Sequence, residues 1–465
     1  MTGQVLPGLL AAEHELLLFA AFWFIVSALD EAAFDIGYLW LRLTGRLREQ
    51  VIARGAETPE LERLTAVFVA AWQEADVIGA MISHTLKAWP QQRMALYVGC
   101  YVNDPATLAA AMKGAAGDPR VRIVVNDRPG PTTKADCLNR LYQALCRDEE
   151  RSGQRFRSVV LHDAEDFVHP AALALIDSNL RHAAFVQLPV RPEPQSGSRW
   201  IAGHYADEFA ETHAKSMVVR SAMGAAIPAA GVGCGFDRDL LAALSRQHTG
   251  SASGQPFAAD CLTEDYELGL LVSRSGGDSR FLRVRDHLGE LVATRAYFPG
   301  RIDDAVRQKA RWIHGIALHG WDRLGWFGGP IDVWMALRDR RGLLTAVVLA
   351  AAYLLILIEA VLGFARLSGW QEHLALSPLA MLMMQISFAA LVWRALWRFG
   401  FTASEYGLTE GLFAVARIPV ANLISIMAGQ RALAAYVRSL TGCEAAWDKT
   451  AHSLHPSLHK QGLPA

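Results

Sequence analysis

Cysteine is scarce in this chain: six of 465 residues, at positions 100, 137, 146, 234, 261 and 443, with no Cys-x-x-Cys pair and no regular spacing. A structural zinc site needs clustered thiolates and a disulfide framework needs dense, paired ones, so neither is indicated. The cysteines read as buried, reduced thiols of a cytosolic domain. Net charge is also almost absent, −1 from 45 basic and 46 acidic residues. That removes a general polyanion-binding surface, and with it a nucleic-acid partner. The N-terminus lacks a basic n-region, and its apolar run over 16–29 passes into 32–41 without a small-residue cleavage site, so it does not read as a cleaved signal peptide. Internal repeats and low-complexity tracts are missing too.

What is abundant is apolar sequence. Hydrophobic residues make up 52%, and the mean hydropathy of +0.17 is high for a purely soluble enzyme. The excess sits in a few blocks, as expected for transmembrane helices attached to a globular domain. Residues 16–43 are long enough to cross a bilayer, which takes about 20 apolar residues. Asp30, Glu31 and Asp35 interrupt this block. At membrane depth they must face protein or a polar path; otherwise the helix leaves the membrane near Leu29 and follows its surface. Arg42, Arg46 and Arg48 come next, so the positive-inside rule puts the short N-terminal tail outside and the large domain in the cytoplasm.

Two further blocks, 343–364 and 379–397, are each long enough to span. The cluster Arg338-Asp339-Arg340-Arg341, and Arg394 with Arg398, place both basic ends inside. A fourth apolar segment, 418–429 between Arg417 and Arg431, has about half the required length. It reads as an interfacial amphipathic helix, with a fourth span as the alternative. The expected division is an N-terminal transmembrane segment over 1–45, a cytoplasmic domain over 60–325, two transmembrane helices over 335–400, the interfacial helix over 405–440 and a tail over 441–465. Within the large domain, strand candidates at 64–70, 94–98, 121–125, 158–161 and 185–188 alternate with helical stretches at 75–88, 105–115 and 134–147. That alternation predicts an α/β fold with a doubly wound, mostly parallel sheet.

Three clusters carry the chemistry. Asp163-Ala164-Glu165-Asp166 follows an apolar strand, at the end where α/β proteins hold ligands. A hard divalent cation on a diphosphate takes one or two such carboxylates, and Asp166 caps the turn that follows. Thr263-Glu264-Asp265 precedes a helix start. Thr263 can serve as its N-cap, with the acids favoured by the helix dipole. Equally, Asp265 can act as a general base, its pKa raised by burial or by neighbouring Glu264. In Gln308-Lys309-Ala310-Arg311-Trp312, residues 308, 311 and 312 share one helix face. Arg311 can grip phosphate oxygens, while Trp312 can stack on a sugar or seat the helix at a membrane interface.

In their order and spacing these motifs resemble the membrane-embedded family-2 glycosyltransferases of GT-A fold, which include the cellulose, chitin, hyaluronan and poly-N-acetylglucosamine synthases. The resemblance runs from about residue 64 to 450. Thr263-Glu264-Asp265 and Gln308-x-x-Arg311-Trp312 are intact. The family's Asp-x-Asp becomes Asp163-Ala164-Glu165, and its Gly-Lys-x-x-Ala-Leu-Asn stretch becomes residues 133–139. The first-strand motif keeps only its acid, Glu74, while Asn103-Asp104-Pro105 stands where the family has a nucleobase-contacting acid. The resemblance implies Mg²⁺ or Mn²⁺ held by Asp163 and Glu165. It also implies a nucleotide-sugar donor lined by Glu74, Asp104, Lys134 and Asp163, and Asp265, with Glu264, as the catalytic pair. Gln308, Arg311 and Trp312 would hold the acceptor and diphosphate. Trp447, Lys449 and Thr450 fall where synthases place a gating loop.

Residues 161–166, 207–211, 230–233 and 447–450 are similar to an inner-membrane subgroup of phage-adsorption proteins. Members often carry a C-terminal domain responsive to a cyclic dinucleotide; with Ala465 as the last residue, direct regulation of that kind is not expected here. The implied function is inverting, metal-dependent transfer from a nucleoside-diphosphate sugar, by family weight a UDP-N-acetylhexosamine, to a growing exopolysaccharide. The setting is the bacterial inner membrane, with a multi-pass anchor among membrane lipids and an export partner in the periplasm or outer membrane. Alternatives are single-sugar transfer to a lipid carrier, and an inactive sensor or export scaffold. Glu165 and the degraded first motif favour the scaffold.

Overall fold

The computed structural model describes residues 2–247, 254–370, 376–440 and 455–456. Its centre is a seven-stranded sheet in the order Val121–Asn126, Met94–Tyr101, Thr65–Ala70, Ser158–Asp163, Cys234–Asp237, Phe185–Gln187, Ser279–Phe281. The first four strands are parallel, and only Cys234–Asp237 runs against its neighbours. Thr65–Ala70 and Ser158–Asp163 are buried almost throughout, because helices cover both faces. Ile78–Ala88 and Pro105–Ala115 supply one apolar layer, and Lys134–Ser152 the other. In register, Ala70 lies beside both Gly99 and Asp163, so the strand ends converge on one edge. The doubly wound, mostly parallel sheet expected from the sequence is present.

Among the described residues, four helices are long and apolar enough to cross a membrane: Leu6–Leu43, Gly342–Leu367, Pro378–Tyr406 and Ile418–Ser439. The fourth apolar segment is longer than its sequence suggests, forming a 22-residue helix. The apolar window stops near Gly429, but small residues carry the helix onward. Ala428 and Ala432 pack against Ala310 of helix Ile302–Ile313, while Gly429 meets Ala346 so closely that a Cβ would collide with it. This helix is therefore wedged between the globular domain and Gly342–Leu367.

The acids of the first apolar helix face protein, and the helix runs unbroken to Leu43. Glu31 and Asp35 are buried. Asp35 accepts from Lys215 Nζ at 2.6 Å and from Trp393 Nε1 at 2.8 Å; Glu31 pairs with Arg394 at 2.7 Å and Arg338 at 3.0 Å. Lys215 is itself buried and also binds Glu211 at 3.1 Å. Lys215→Met should strand Asp35 and Glu211 as buried carboxylates without their shared ammonium and cost about 3–5 kcal/mol. Thermal unfolding of the detergent-solubilised protein measures this; an unchanged midpoint would show that the pairing contributes nothing.

Candidate active site

Strand Ser158–Asp163 delivers Asp163 to the convergent sheet edge, and the next turn is closed by Asp166. Asp166 Oδ2 accepts from the Asp163 backbone N–H at 3.0 Å and lies 2.7 Å from His162 Nδ1. This is the expected cap, and burial pushes the Asp166 pKa up. Asp163 and Glu165 are left half-buried on the cavity wall. Across from them stands Lys134, the first residue of a helix fixed by a capping box between Thr133 and Asp136. Its ammonium binds Asp163 directly. Burial alone would lower the Lys134 pKa, but the carboxylates of Asp163, Glu264 and Asp265 outweigh it and hold it above the ordinary lysine range.

Glu264 and Asp265 open helix Glu264–Arg274. Both carboxyl pKa values are raised, chiefly by burial. The Asp265 charge pushes Glu264 further, to about 7, while Lys134 opposes the shift. Asp265 Oδ1 accepts from the Tyr266 backbone N–H at 2.8 Å. Its Oδ2 lies over Gly231, whose φ of +74° suits glycine and where a Cβ would collide with the carboxylate. Thr263 occupies the N-cap position but makes no cap hydrogen bond. Its side chain turns instead against Gly315, where a Cβ would come within 2.6 Å of Thr263 Oγ1. The capping expected for it does not occur.

Gln308, Arg311 and Trp312 line the same cavity, which holds about 480 Å³. Phe209, Phe298 and Ile316 add an apolar stretch beside them. The two residues inside the motif are its anchors. Lys309 Nζ binds both oxygens of Glu208, at 2.6 and 2.8 Å, and Ala310 seats the helix on Ala428 and Ala432. Burial would raise the Glu208 pKa, but Lys309 brings it down to about 2.

Of the sequence-predicted residues, Glu74, Lys134, Asp163, Glu165, Glu264, Asp265, Gln308, Arg311 and Trp312 all line this cavity. Asp104 does not. Its side chain caps helix Pro105–Ala115 through the Thr107 N–H at 3.2 Å and accepts from Gln73 N–H at 2.6 Å. It thereby braces the left-handed backbone of Gln73 (φ 55°), next to Glu74. Trp447, Lys449 and Thr450 lie outside the described residues. Glu208 and Gly231 fall in segments that stand out in sequence only by resemblance, with no role attached, and nothing in the sequence marks His455. His455 is fully buried and its Nε2 lies 3.0 Å from the Asp166 carbonyl, against the acidic turn.

Residues 62–315, just over half of the chain, match the family model described as glycosyltransferase like family 2. The chain belongs to that family and is a glycosyltransferase with a GT-A-like α/β domain and several apolar helices that could span a membrane. It is 33% identical over 460 residues to bacteriophage adsorption protein B of Escherichia coli (strain K12) and to bacteriophage N4 adsorption protein B of Escherichia coli O157:H7. Each alignment covers 93% of this chain, which spans 61% of the length of those relatives. Among solved structures, a mannosyltransferase from Pyrobaculum calidifontis in complex with GDP-Man and Mn²⁺ is similar at 16% identity and a TM-score of 0.49, covering 88% of this chain and 99% of that one.

Two outcomes follow from the Glu264–Asp265 geometry. Between its ordinary 4.5 and its folded value of about 7, the Glu264 carboxyl keeps its proton only in the folded chain. Stability from this group is therefore fully present below pH 4.5 and is lost as pH rises toward 7. Glu264→Gln should flatten that dependence in melting curves; parallel slopes in both proteins would count against a raised Glu264 pKa. Gly231→Ala should push on the Asp265 carboxylate and slow transfer by about 10²-fold in a protein that still folds, with wild-type turnover as the contrary result.

Proposed function

We propose that this chain transfers a sugar, with inversion, from a nucleoside-diphosphate sugar to a growing exopolysaccharide at the bacterial inner membrane. The observation supporting it most is convergence: residues 134, 163, 165, 265, 308, 311 and 312, scattered along the sequence, share one cavity. The acidic turn fits a metal. Asp163 and Glu165 offer hard oxygen donors open to the cavity, and Mg²⁺ or Mn²⁺ on a diphosphate takes only one or two protein carboxylates. Among the described residues no cluster of three or more potential ligands exists, in keeping with an ion that completes its shell from substrate and water. When bound, such an ion would neutralise charge on the departing diphosphate.

The chain's own residues supply the rest. Lys134, beside Asp163, offers an ammonium to the diphosphate, and Arg311 offers a planar guanidinium in the same cavity. Asp265 takes the proton from the acceptor hydroxyl as that oxygen attacks the anomeric carbon. One base with no separate nucleophile supports a single displacement, hence inversion. Trp312, Phe209 and Phe298 give the acceptor ring an aromatic surface.

The arginines that follow the first apolar helix and flank the next two support a cytoplasmic domain on a multi-pass inner-membrane anchor. Family resemblance favours a UDP-N-acetylhexosamine donor, and a secreted polymer requires an export partner in the periplasm or outer membrane. The convergence of these residues on one cavity speaks against an inactive scaffold. Its apolar stretch of Phe209, Phe298 and Ile316 keeps single transfer to a lipid-linked acceptor as the second reading.

Membranes carrying the protein, incubated with radiolabelled UDP-sugars and Mn²⁺, decide between them: a ladder of sizes marks a polymerase, one glycolipid spot a single transfer. Absence of product from every donor would overturn both. Asp265→Asn should retain donor binding by calorimetry yet lose about 10²–10⁴-fold in turnover; wild-type turnover would remove Asp265 as the base.

A further inference from the structure

In sequence, Arg338-Asp339-Arg340-Arg341 reads as a basic cluster that sets membrane orientation. In the structure each of its side chains has a protein partner. Arg338 and Arg341 bind Asp30 and Glu31 of the first apolar helix, with Arg341 Nη1 at 2.5 Å from Asp30. Arg340 donates to the Gly325 carbonyl at 2.8 Å, beyond the Gln308–Trp312 helix. Asp339 faces the catalytic cavity. It forms a bidentate pair with Arg220, at 2.7 and 3.0 Å, and accepts from the Tyr266 hydroxyl at 3.0 Å.

Tyr266 directly follows the proposed base, and its backbone N–H holds Asp265 Oδ1. Both Tyr266 and Arg220 are nearly buried, and both line the cavity with Asp339. Burial and the Asp339 charge raise the Tyr266 phenol well above its ordinary range, so its hydroxyl stays a donor. Arg220 is pinned in turn by its Nε–H to the Ala226 carbonyl at 2.6 Å.

Resting on the transferase reading above, we propose that Asp339 is a positioning residue for the Asp265 base. Through the Tyr266 hydroxyl it fixes the first turn of helix Glu264–Arg274. That turn presents the Tyr266 N–H to Oδ1 and leaves Oδ2, over Gly231, as the proton-accepting oxygen. Without the tether the turn can rotate about its axis, and a displacement of order 1 Å at a reacting group costs about 10²-fold in rate. Because the neighbouring arginines grip Asp30 and Glu31, the base is also indexed to the first apolar helix.

Three variants test this in the full-length protein in membranes. Tyr266→Phe deletes only the hydroxyl, Asp339→Ala deletes the acceptor, and Asp339→Asn keeps an acceptor oxygen for Tyr266. Tyr266→Phe and Asp339→Ala should lower kcat by about 10–100-fold while donor KM stays within about twofold. Asp339→Asn should recover part of kcat. Wild-type kcat in Tyr266→Phe, or kcat and KM worsening together with the melting temperature in all three, would overturn the inference. If the wild-type protein transfers no sugar from any UDP-sugar donor, the transferase reading fails and takes the inference with it.

Discussion

Asp207, Glu208 and Glu211 lie along one face of helix Ile201–Glu211, and a carboxylate taken out of water costs several kcal/mol unless a counter-charge goes with it. Each acid takes its counter-charge from a different part of the chain. Asp207 holds Arg417, at the start of the fourth apolar helix, through two bonds of 2.7 and 2.8 Å. Glu208 holds Lys309, inside the Gln308–Trp312 motif. Glu211 holds Lys215 and, more loosely, Arg394 and Arg398 of helix Pro378–Tyr406. Arg417 is so enclosed that a Cβ on Gly203 would come within 2.5 Å of its guanidinium. One 11-residue helix thus joins the catalytic wall to two apolar helices. None of the joints can slip without stranding a buried charge.

The cavity obeys the same rule with the opposite economy of charge. Lys134 is a single ammonium among Asp163, Glu264 and Asp265. Its influence lowers Glu264 and Asp265, yet burial prevails in both: the Glu264 carboxyl rises to about 7 and the Asp265 carboxyl lies above its ordinary value. A base needs this: a carboxylate of ordinary pKa accepts a hydroxyl proton poorly, whereas one raised toward the working pH combines availability with driving force. Asp163 is paired with Lys134.

Much of this was legible in sequence, for identifiable reasons. The parallel sheet follows from apolar runs alternating with helical stretches. Asp163 and Asp265 stand out because carboxylates at a strand end and a helix start suit such chemistry, and Arg311 because it shares a helix face with Gln308 and Trp312. The pairings that hold them do not stand out. Glu208 and Lys309 are 101 residues apart, and Tyr266 and Asp339 are 73 apart. No local period marks such partners. The capping role of Asp104 was not legible, because a capping aspartate and a ligand-binding aspartate look the same before a proline-initiated helix. The fourth apolar helix was read short because apolar windows count large side chains, while its continuation packs through alanine and glycine.

The acids of the first apolar helix complete the picture. In sequence Asp30, Glu31 and Asp35 are a defect in a membrane span, tolerable only if they face protein. Their partners come from Lys215 behind the cavity, from Arg338 and Arg341 beside Asp339, and from Arg394 on a second apolar helix. The defect is thus the seam along which the membrane-type helices are fastened to the catalytic domain. A hydrophobic replacement would satisfy a bilayer better but would leave Lys215, Arg338, Arg341 and Arg394 without these carboxylates.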